Sequence, residues 1–259
     1  MPCLVSVIMP TYNCGQYISA SVESIIHQTE SNWELEIVDD CSTDNTFEVL
    51  EPYLKKYPHI HYCRLPHNSG PAAARTTAIK HASGKYCAFL DSDDLWMPDK
   101  LEKQIAFMEK NGAAFSCTAY KRMGADGNDL HMIIIPPKKT DYKKCLRLSN
   151  PIGNLTVMYD QEALGKFEVP MIKRRNDFAL WLQILKKTQY CYGMEDVLGV
   201  YRTGHSENIS SHKIFLAKYN WQLYRKIEGH NLVRSTFEML CGVVAKGTGI
   251  GLARRRTDK

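Results

Sequence analysis

The sequence has 259 residues, of which 44% are hydrophobic and 24% charged, and its formal net charge is +5 at pH 7. This composition is ordinary for a soluble globular protein and predicts one elaborated α/β domain, since no Pro-, Gly- or Ser-rich linker, repeat or low-complexity tract divides the chain. Its nine cysteines are scattered singly without a C-x-x-C pair, which argues against a disulfide framework or a zinc site and favours a reducing, cytoplasmic setting. The apolar run at the amino terminus is too short and interrupted for a signal peptide.

The first 90 residues alternate short β-branched or aromatic runs with helical patterns, which is typical of βαβ units and a mostly parallel sheet. The patterns predict strands over 5–9, 33–38, 60–65 and 86–90, and helices over 17–28, 46–57 and 72–81. Further along they predict helices over 101–111, 178–187 and 221–240, strands over 113–120 and 154–159, and a hairpin turn at 124–128 that 132–135 continue. For Trp181, within the second of these helices, core packing is favoured over substrate contact.

Three polar loops follow predicted strands, at residues 10–13, 39–44 and 91–94. In open α/β sheets ligands bind beyond the carboxyl ends of the strands, so we expect these loops to converge. Neither G-x-G-x-x-G nor G-x-x-x-x-G-K-[ST] follows any predicted strand. A dinucleotide site and a P-loop are therefore not expected.

The loop Asp91-Ser92-Asp93-Asp94 places three carboxylates just after an apolar strand. Crowded carboxylates resist ionising together unless a cation compensates them, and Mg²⁺ or Mn²⁺ takes such oxygen ligands. The alternative is an acidic turn that caps the following helix, because Asp is also favoured where a helix begins.

Four segments occur in a fixed order: Val-Ile-Met-Pro-Thr-Tyr-Asn at 7–13, Val-Asp-Asp-Cys-Ser-Thr-Asp at 38–44, Asn68-Ser69-Gly70 with Ala74-Arg75, and Phe-Leu-Asp-Ser-Asp-Asp at 89–94. Taken together, they resemble the family 2 inverting glycosyltransferases of the GT-A fold, particularly bacterial enzymes that build surface polysaccharides on lipid-linked acceptors. The resemblance is dense over 6–101 and thinner to about 211. It implies a GT-A domain over 1–211, with a donor half to about 111 and an acceptor half over 112–211, and a helical, basic tail at 212–259.

The resemblance also implies a UDP-sugar donor held through Mn²⁺ or Mg²⁺. Tyr12 would stack on uracil, Asp40 or Asp39 would accept its imide N–H, and Arg75 would reach the base or its phosphate. The full nucleotide set that it implies is Pro10, Thr11, Tyr12, Asp39, Asp40, Arg75, Asp91 and Ser92. Asp93 would bind the metal, and Asp91 would lie near the ribose and the metal's waters. The alternatives are a Tyr packed on its own loop, turn-forming Asp residues and a surface Arg.

For catalysis the resemblance implies that Asp177 deprotonates the acceptor hydroxyl. It is preceded by Asn176, where many relatives have Glu, and the alternative role of Asp177 is to cap the helix predicted from residue 178. Residues 200–211 resemble the family's mobile loop, in which Arg202 and His205 would contact the donor diphosphate and His205 would also contact the metal. The alternative for His205 is an exposed loop histidine without a role.

The expected acceptor is a saccharide, which the resemblance places on a polyprenyl diphosphate, and no nucleic acid partner is expected. Residues 239–253 are apolar but carry Lys246 and four glycines, and Arg254-Arg255-Arg256 follow. This run is too short to span a membrane, so we expect peripheral contact with the inner face of the cytoplasmic membrane; a disordered or core-packed tail is the alternative. Other basic runs, including Lys173-Arg174-Arg175, fit a solvated face, or else an anionic substrate or membrane surface. The rival functions are a sugar nucleotidyltransferase, disfavoured because residues 10–15 lack repeated Gly and Lys or Arg, and a non-catalytic nucleotide-sugar binder.

Overall fold

The computed structural model describes residues 3–148, 150–204, 213–248 and 253–256. Within these ranges eleven strands form one sheet, with helices on both faces. The first half comprises β1 (Val5–Thr11), α1 (Ile18–Ile26), β2 (Trp33–Asp39), α2 (Thr46–Lys56), β3 (Ile60–Arg64), α3 (Pro71–His81), β4 (Tyr86–Phe89), β5 (Leu95–Trp96) and α4 (Lys100–Asn111). The second half comprises β6 (Phe115–Gly124), β7 (Asp129–Ile135), β8 (Lys139–Thr140), α5 (Tyr142–Arg147), β9 (Met158–Asp160), α6 (Gln161–Leu164), α7 (Asn176–Lys187), β10 (Cys191–Thr203), α8 (Lys213–Gln222), α9 (Leu232–Thr248) and β11 (Ala253–Arg256).

Strands β3, β2, β1 and β4 lie side by side and all run parallel, which confirms the parallel sheet predicted for the first 90 residues. The chain moves from β1 outward to β2 and β3, then returns through α3 to place β4 on the other side of β1. The strand order therefore reverses beside β1. The carboxyl ends of β1, β2 and β4 open onto a crevice at this point, which is where such sheets bind ligands.

The second half of the chain extends the sheet with mostly antiparallel pairings. Strand β9 runs antiparallel to β4 and β6, β7 antiparallel to β6, and β11 antiparallel to β7. The long strand β10 is parallel to β6 and antiparallel to β5 and β8. The α/β class, the flanking helices and the C-terminal helices are as expected, and the complete sheet is mixed.

The core forms two layers because successive residues of a strand point to opposite faces of the sheet. On β1, Ile8 packs in one layer, while Val7 and Met9 pack in the other. Trp181 of α7 is fully buried in the first layer, with its ring 5.1 Å from Phe89 and 5.9 Å from Phe115 between centroids. The prediction that Trp181 is a core residue is confirmed.

Several boundaries differ from the sequence prediction. The strand predicted over 154–159 is a 3₁₀ turn, Asn154–Thr156, followed by the short β9. Strand β10 was not predicted, because Gly193 and Gly199 interrupt its pattern and two register shifts near them break its alternation. Gly199 leaves room for Leu155, whose Cδ1 would lie 2.8 Å from an added Cβ.

The single helix predicted over 221–240 is wrong, because two helices meet there. Helix α8 continues into a π-helical turn, Leu223–Ile227, and the chain then breaks at Gly229, whose φ of 65° lies in the left-handed region. Leu223 and Tyr224 are fully buried in the first core layer, so this helical region packs against the core of the sheet. None of the described helices is both long and apolar enough to cross a bilayer.

Candidate active site

A cleft of about 1170 Å³ lies at the carboxyl ends of β1, β2 and β4. The loops at 10–13, 40–45 and 91–93 converge on it, as predicted, and they are joined by residues 68–72 and by the segment 171–177 that leads into α7. Of the predicted site residues, it is lined by Pro10, Thr11, Tyr12, Asp40, Arg75, Asp91, Ser92, Asp93 and Asp177.

Asp39 is not among the lining residues, although it was predicted to contact the nucleotide. It is fully buried at the end of β2 and accepts hydrogen bonds from the backbone N–H and hydroxyl of Ser42, at 2.8 and 2.6 Å, and from the hydroxyl of Tyr62 at 2.7 Å. Because its hydrogen bonds are made within the protein, the buried Asp39 carboxylate stabilises the loop after β2. Of the two acidic residues considered for uracil, Asp40 is therefore the one that the structure brings to the cleft.

Asp40 also fixes the segment that starts α3. Its carboxylate oxygens accept from the backbone N–H groups of Ser69, at 2.6 Å, and Gly70, at 2.7 Å. Gly70 has a φ of 88°, which favours glycine, and Pro71 then opens the helix. The Asn68-Ser69-Gly70 motif is thus held against the second loop, and Tyr12, 42% exposed, stands at the mouth of the same cleft.

The turn at residues 91–94, here called the acidic turn, has carboxylates both in the cleft and in the interior. Asp91 and Asp93 line the cleft, whereas Asp94 is buried and accepts from the backbone N–H of Arg202 at 2.9 Å. Burial, together with the neighbouring charges of Asp93 and Asp91, raises the pKa of Asp94 well above its ordinary value. The turn does not cap a helix, since β5 follows it and α4 begins at Lys100, beyond Asp99.

The buried side chain of Arg75 connects the acidic turn to the segment that carries Asp177. Its Nη2 donates to Asp91 Oδ1 at 2.5 Å, and its Nη1 donates to Asn176 Oδ1 at 2.6 Å. The Arg75 side chain is 8% exposed and that of Asp91 29%. Arg75 is therefore a link across the cleft rather than a surface residue.

Asp177 lies in the first turn of α7, which begins at Asn176 with Arg175 in the N-cap position. No side chain caps this helix, so the alternative that Asp177 is its N-cap is wrong. One Asp177 oxygen accepts from the Asn150 amide at 3.1 Å, and the carboxylate lines the cleft near the positive end of the helix dipole.

Arg202, which was predicted together with His205 to contact the donor diphosphate, does not reach the cleft. Arg202 is buried, and its Nε donates to the backbone carbonyl of Asp93 at 3.0 Å while its guanidinium lies 4.7 Å over the ring of Tyr17. It therefore supports the acidic turn from β10 and is not among the residues that line the cleft. His205 lies outside the described residues.

Three groups at the site were missed by the sequence analysis. Asn154 lines the cleft, and both polar atoms of its amide are buried without a hydrogen-bond partner among the described residues. Asn150, which holds Asp177, has a φ of 65°. Arg174 and Arg175 line the cleft although their run was noted only for its charge. The signal that could have found these arginines is their position two and three residues before Asp177.

Asp91 and Asp93 fit a hard divalent ion, since they present carboxylate oxygens to a cleft large enough for a diphosphate and waters. In the described part of the chain, a cluster of Glu34, Glu36 and His61 has its potential metal-ligand atoms all within 4.8 Å of one another. It is not part of the cleft, and its carboxylates already accept hydrogen bonds: Glu34 from Ser6 and Glu36 from His61.

Residues 6–168 match the family model described as "Glycosyl transferase family 2". Over 234 residues the chain is 45% identical to TuaG of Bacillus subtilis, a candidate teichuronic acid biosynthesis glycosyltransferase, covering 90% of this chain and 92% of that one. Over 222 residues it is 40% identical to WfgD of Escherichia coli, named UDP-Glc:alpha-D-GlcNAc-diphosphoundecaprenol beta-1,3-glucosyltransferase, covering 85% of each.

Two solved structures share the GT-A fold. The S. aureus TarS fragment 1–349 in complex with UDP-GlcNAc superposes with a TM-score of 0.70 at 21% identity, covering 93% of this chain and 71% of that one. The mannosyltransferase PcManGT from Pyrobaculum calidifontis, in complex with GDP-Man and Mn²⁺, gives a TM-score of 0.63 at 17% identity, covering 96% and 75%.

Replacing Arg75 should test the link across the cleft. In Arg75→Gln, Asp91 and Asn176 lose their donor, and we expect the free energy of unfolding to fall by about 1–3 kcal/mol, at the lower end because Asp91 is partly solvated. Urea denaturation followed by tryptophan fluorescence measures the change. Lys138→Gln, which removes an exposed charge outside the cleft, is the control; equal stabilities of the two variants would contradict the assignment.

Proposed function

Since this chain belongs to glycosyl transferase family 2, we propose that it moves a sugar from a UDP-sugar to a saccharide acceptor with inversion at the anomeric carbon. The observation that carries the proposal is the meeting of Asp40, Arg75, Asp93 and Asp177 in one cleft. The choice of uridine is supported by the UDP-GlcNAc complex of TarS and by the UDP-Glc donor in the name of WfgD.

We assign the donor to the side of the cleft formed by the loops after β1, β2 and β4. Tyr12 offers a partly exposed ring for the base, and Asp40 an acceptor for its imide N–H. Asp93, with Asp91 beside it, would hold Mn²⁺ or Mg²⁺. The bound ion would offset the charge that develops on the leaving diphosphate. Asp91 keeps its orientation through Arg75, and Asp93 through the Arg202 contact to its carbonyl.

This assignment predicts that turnover requires a divalent ion and Asp93. We expect Asp93→Asn, or excess EDTA, to reduce transfer from UDP-sugars by about 10² or more, because an uncompensated diphosphate is a poor leaving group. A panel of UDP-, GDP- and TDP-sugars with Mn²⁺, scored by donor hydrolysis and thermal stabilisation, identifies the donor. Asp94→Asn is the matched control, since Asp94 faces the interior and an amide oxygen can still accept from Arg202. Full activity of Asp93→Asn would remove the metal role.

On the opposite side of the cleft, Asp177 is the general base. An inverting transfer requires the acceptor hydroxyl to attack from the face opposite the diphosphate, and one carboxylate within reach of that hydroxyl suffices. Asn150 orients the Asp177 carboxylate through a hydrogen bond to Oδ2, and among the described residues Oδ1 has no hydrogen-bond donor and would face the acceptor. Arg75 and Asn176 hold the start of α7 at a fixed position relative to the acidic turn.

Asp177→Asn separates the base from a structural residue. The amide keeps the shape and can still pair with Asn150, but it does not take a proton, so we expect transfer to fall by about 10² or more while UDP affinity is kept. Single-turnover transfer and UDP titration measure the two effects. A parallel loss of UDP affinity would indicate a structural role, and wild-type protein that binds UDP-sugars without turnover would favour the non-catalytic binder.

We further propose that the acceptor is carried on a polyprenyl diphosphate and that α9 contacts the membrane that holds it. WfgD acts on a diphosphoundecaprenol-linked sugar, as its name states. Helix α9 buries the polar residues Ser235 and Glu238 against the protein. Facing outward, it carries apolar side chains that are each more than half exposed: Leu232, Val233, Phe237, Leu240, Val243 and Val244. This apolar stripe follows the helical period and fits the interface of a bilayer.

The proposed membrane contact predicts that acidic substitutions in the apolar stripe of α9 release the protein from a lipid bilayer. Val233→Glu with Leu240→Glu should weaken partitioning onto anionic liposomes by about tenfold or more, because two apolar side chains that would enter the bilayer interface become charged. Sedimentation with liposomes measures this, and Leu130→Glu, at another exposed apolar position, is the control. Unchanged partitioning, combined with a dimer that the double variant dissociates in size-exclusion chromatography, would assign the stripe to a second copy of the chain.

A further inference from the structure

Residues 171–175, here called the basic loop, present three consecutive cations to the cleft immediately before α7. Lys173 is exposed, and Arg174 and Arg175 are partly buried. Within the described ranges, no Asp or Glu carboxylate lies within 4.0 Å of these cationic groups. Their charges are therefore available to an anion in the cleft.

Two guanidinium nitrogens of the basic loop, Nη1 of Arg174 and Nε of Arg175, are buried without a hydrogen-bond partner among the described residues. A buried donor left unpaired is costly, and in a native protein it calls for an explanation such as a ligand. Arg175 also has a φ of 67°, a backbone conformation that is unfavourable for a non-glycine residue and that concentrates at functional sites.

The position of the basic loop distinguishes it from the donor side. It precedes Asp177 in the chain, and the acceptor hydroxyl must lie beside Asp177. Its other neighbour is the C-terminal helical region, because the guanidinium of Arg174 lies 5.8 Å over the ring of Tyr219 on α8. The loop therefore lies between the proposed base and α8, which in turn contacts α9, the helix that carries the apolar stripe.

We propose that the basic loop binds the diphosphate of a lipid-linked acceptor, with Lys173, Arg174 and Arg175 as its cationic contacts. This inference rests on the proposed function, in which the acceptor is a polyprenyl diphosphate sugar. Planar guanidinium groups pair with phosphate oxygens through two parallel hydrogen bonds, which suits two adjacent phosphates. Two diphosphates in one cleft repel each other, so each needs its own positive charge; the metal serves the donor and the basic loop serves the acceptor.

The test uses farnesyl diphosphate as the probe, titrated by calorimetry into the whole protein saturated with UDP and Mn²⁺. A second binding event is expected. Arg174→Gln should weaken it by about tenfold, as for a lost charge-assisted hydrogen bond, and Lys173→Gln by less because Lys173 is exposed. Lys138→Gln should bind like wild type, and farnesol should bind wild type and Arg174→Gln equally. Arg175→Gln is compared only if its thermal unfolding matches that of wild type.

Equal affinity of wild type and Arg174→Gln for farnesyl diphosphate would overturn the inference, as would a probe that binds only by displacing UDP. Failure of the protein to bind UDP in the first titration would instead contradict the proposed donor. In that case the probe is titrated in the absence of UDP, and the comparison of wild type with Arg174→Gln still decides whether the basic loop recognises the diphosphate.

Discussion

The guanidinium of Arg75 fixes the position of the acidic turn relative to the start of α7, which lie on two sides of the cleft. It reaches from α3 to Asp91 after β4 and to Asn176 at the start of α7, residues that are 85 positions apart in the chain. The start of α3 is itself fixed by the contacts of Asp40 with Ser69 and Gly70. Since interiors are close-packed and transmit small shifts, the distance between the acidic turn and Asp177 follows from this one side chain.

Asp40, Asp91 and Asp93 lie on the side of the cleft formed by the loops after β2 and β4, whereas the basic loop lies on the side that leads into α7. Burial lowers the pKa of Arg175 while the nearby Asp177 raises it. Under the proposed function, the basic loop attracts the acceptor diphosphate while the carboxylates of the acidic turn repel it, which keeps the acceptor away from the donor side.

Much of this architecture could be predicted from local patterns. The parallel strands of the first half, the convergence of three loops and the core position of Trp181 follow from periodicity and from where α/β sheets bind ligands. The burial of Asp39 could not be predicted, because it depends on Tyr62 of a neighbouring strand. The burial of Arg202 and the position of Asn154 in the cleft could not be predicted for the same reason: they are set by tertiary contacts that β10 and a 3₁₀ turn create.

The segments that surround the cleft contain four non-glycine residues whose φ lies in the left-handed region: Asn13, Cys41, Asn150 and Arg175. Each holds a conformation that an unfolded loop would rarely adopt, and tertiary contacts such as the hydrogen bond that the Thr43 N–H donates to Asn13 Oδ1 keep the first two loops in place. The unfavourable free energy of ordering these loops is therefore offset when the protein folds. A substrate that enters the cleft does not bear it again, so more of its contact energy is left for affinity and for reaching the transition state.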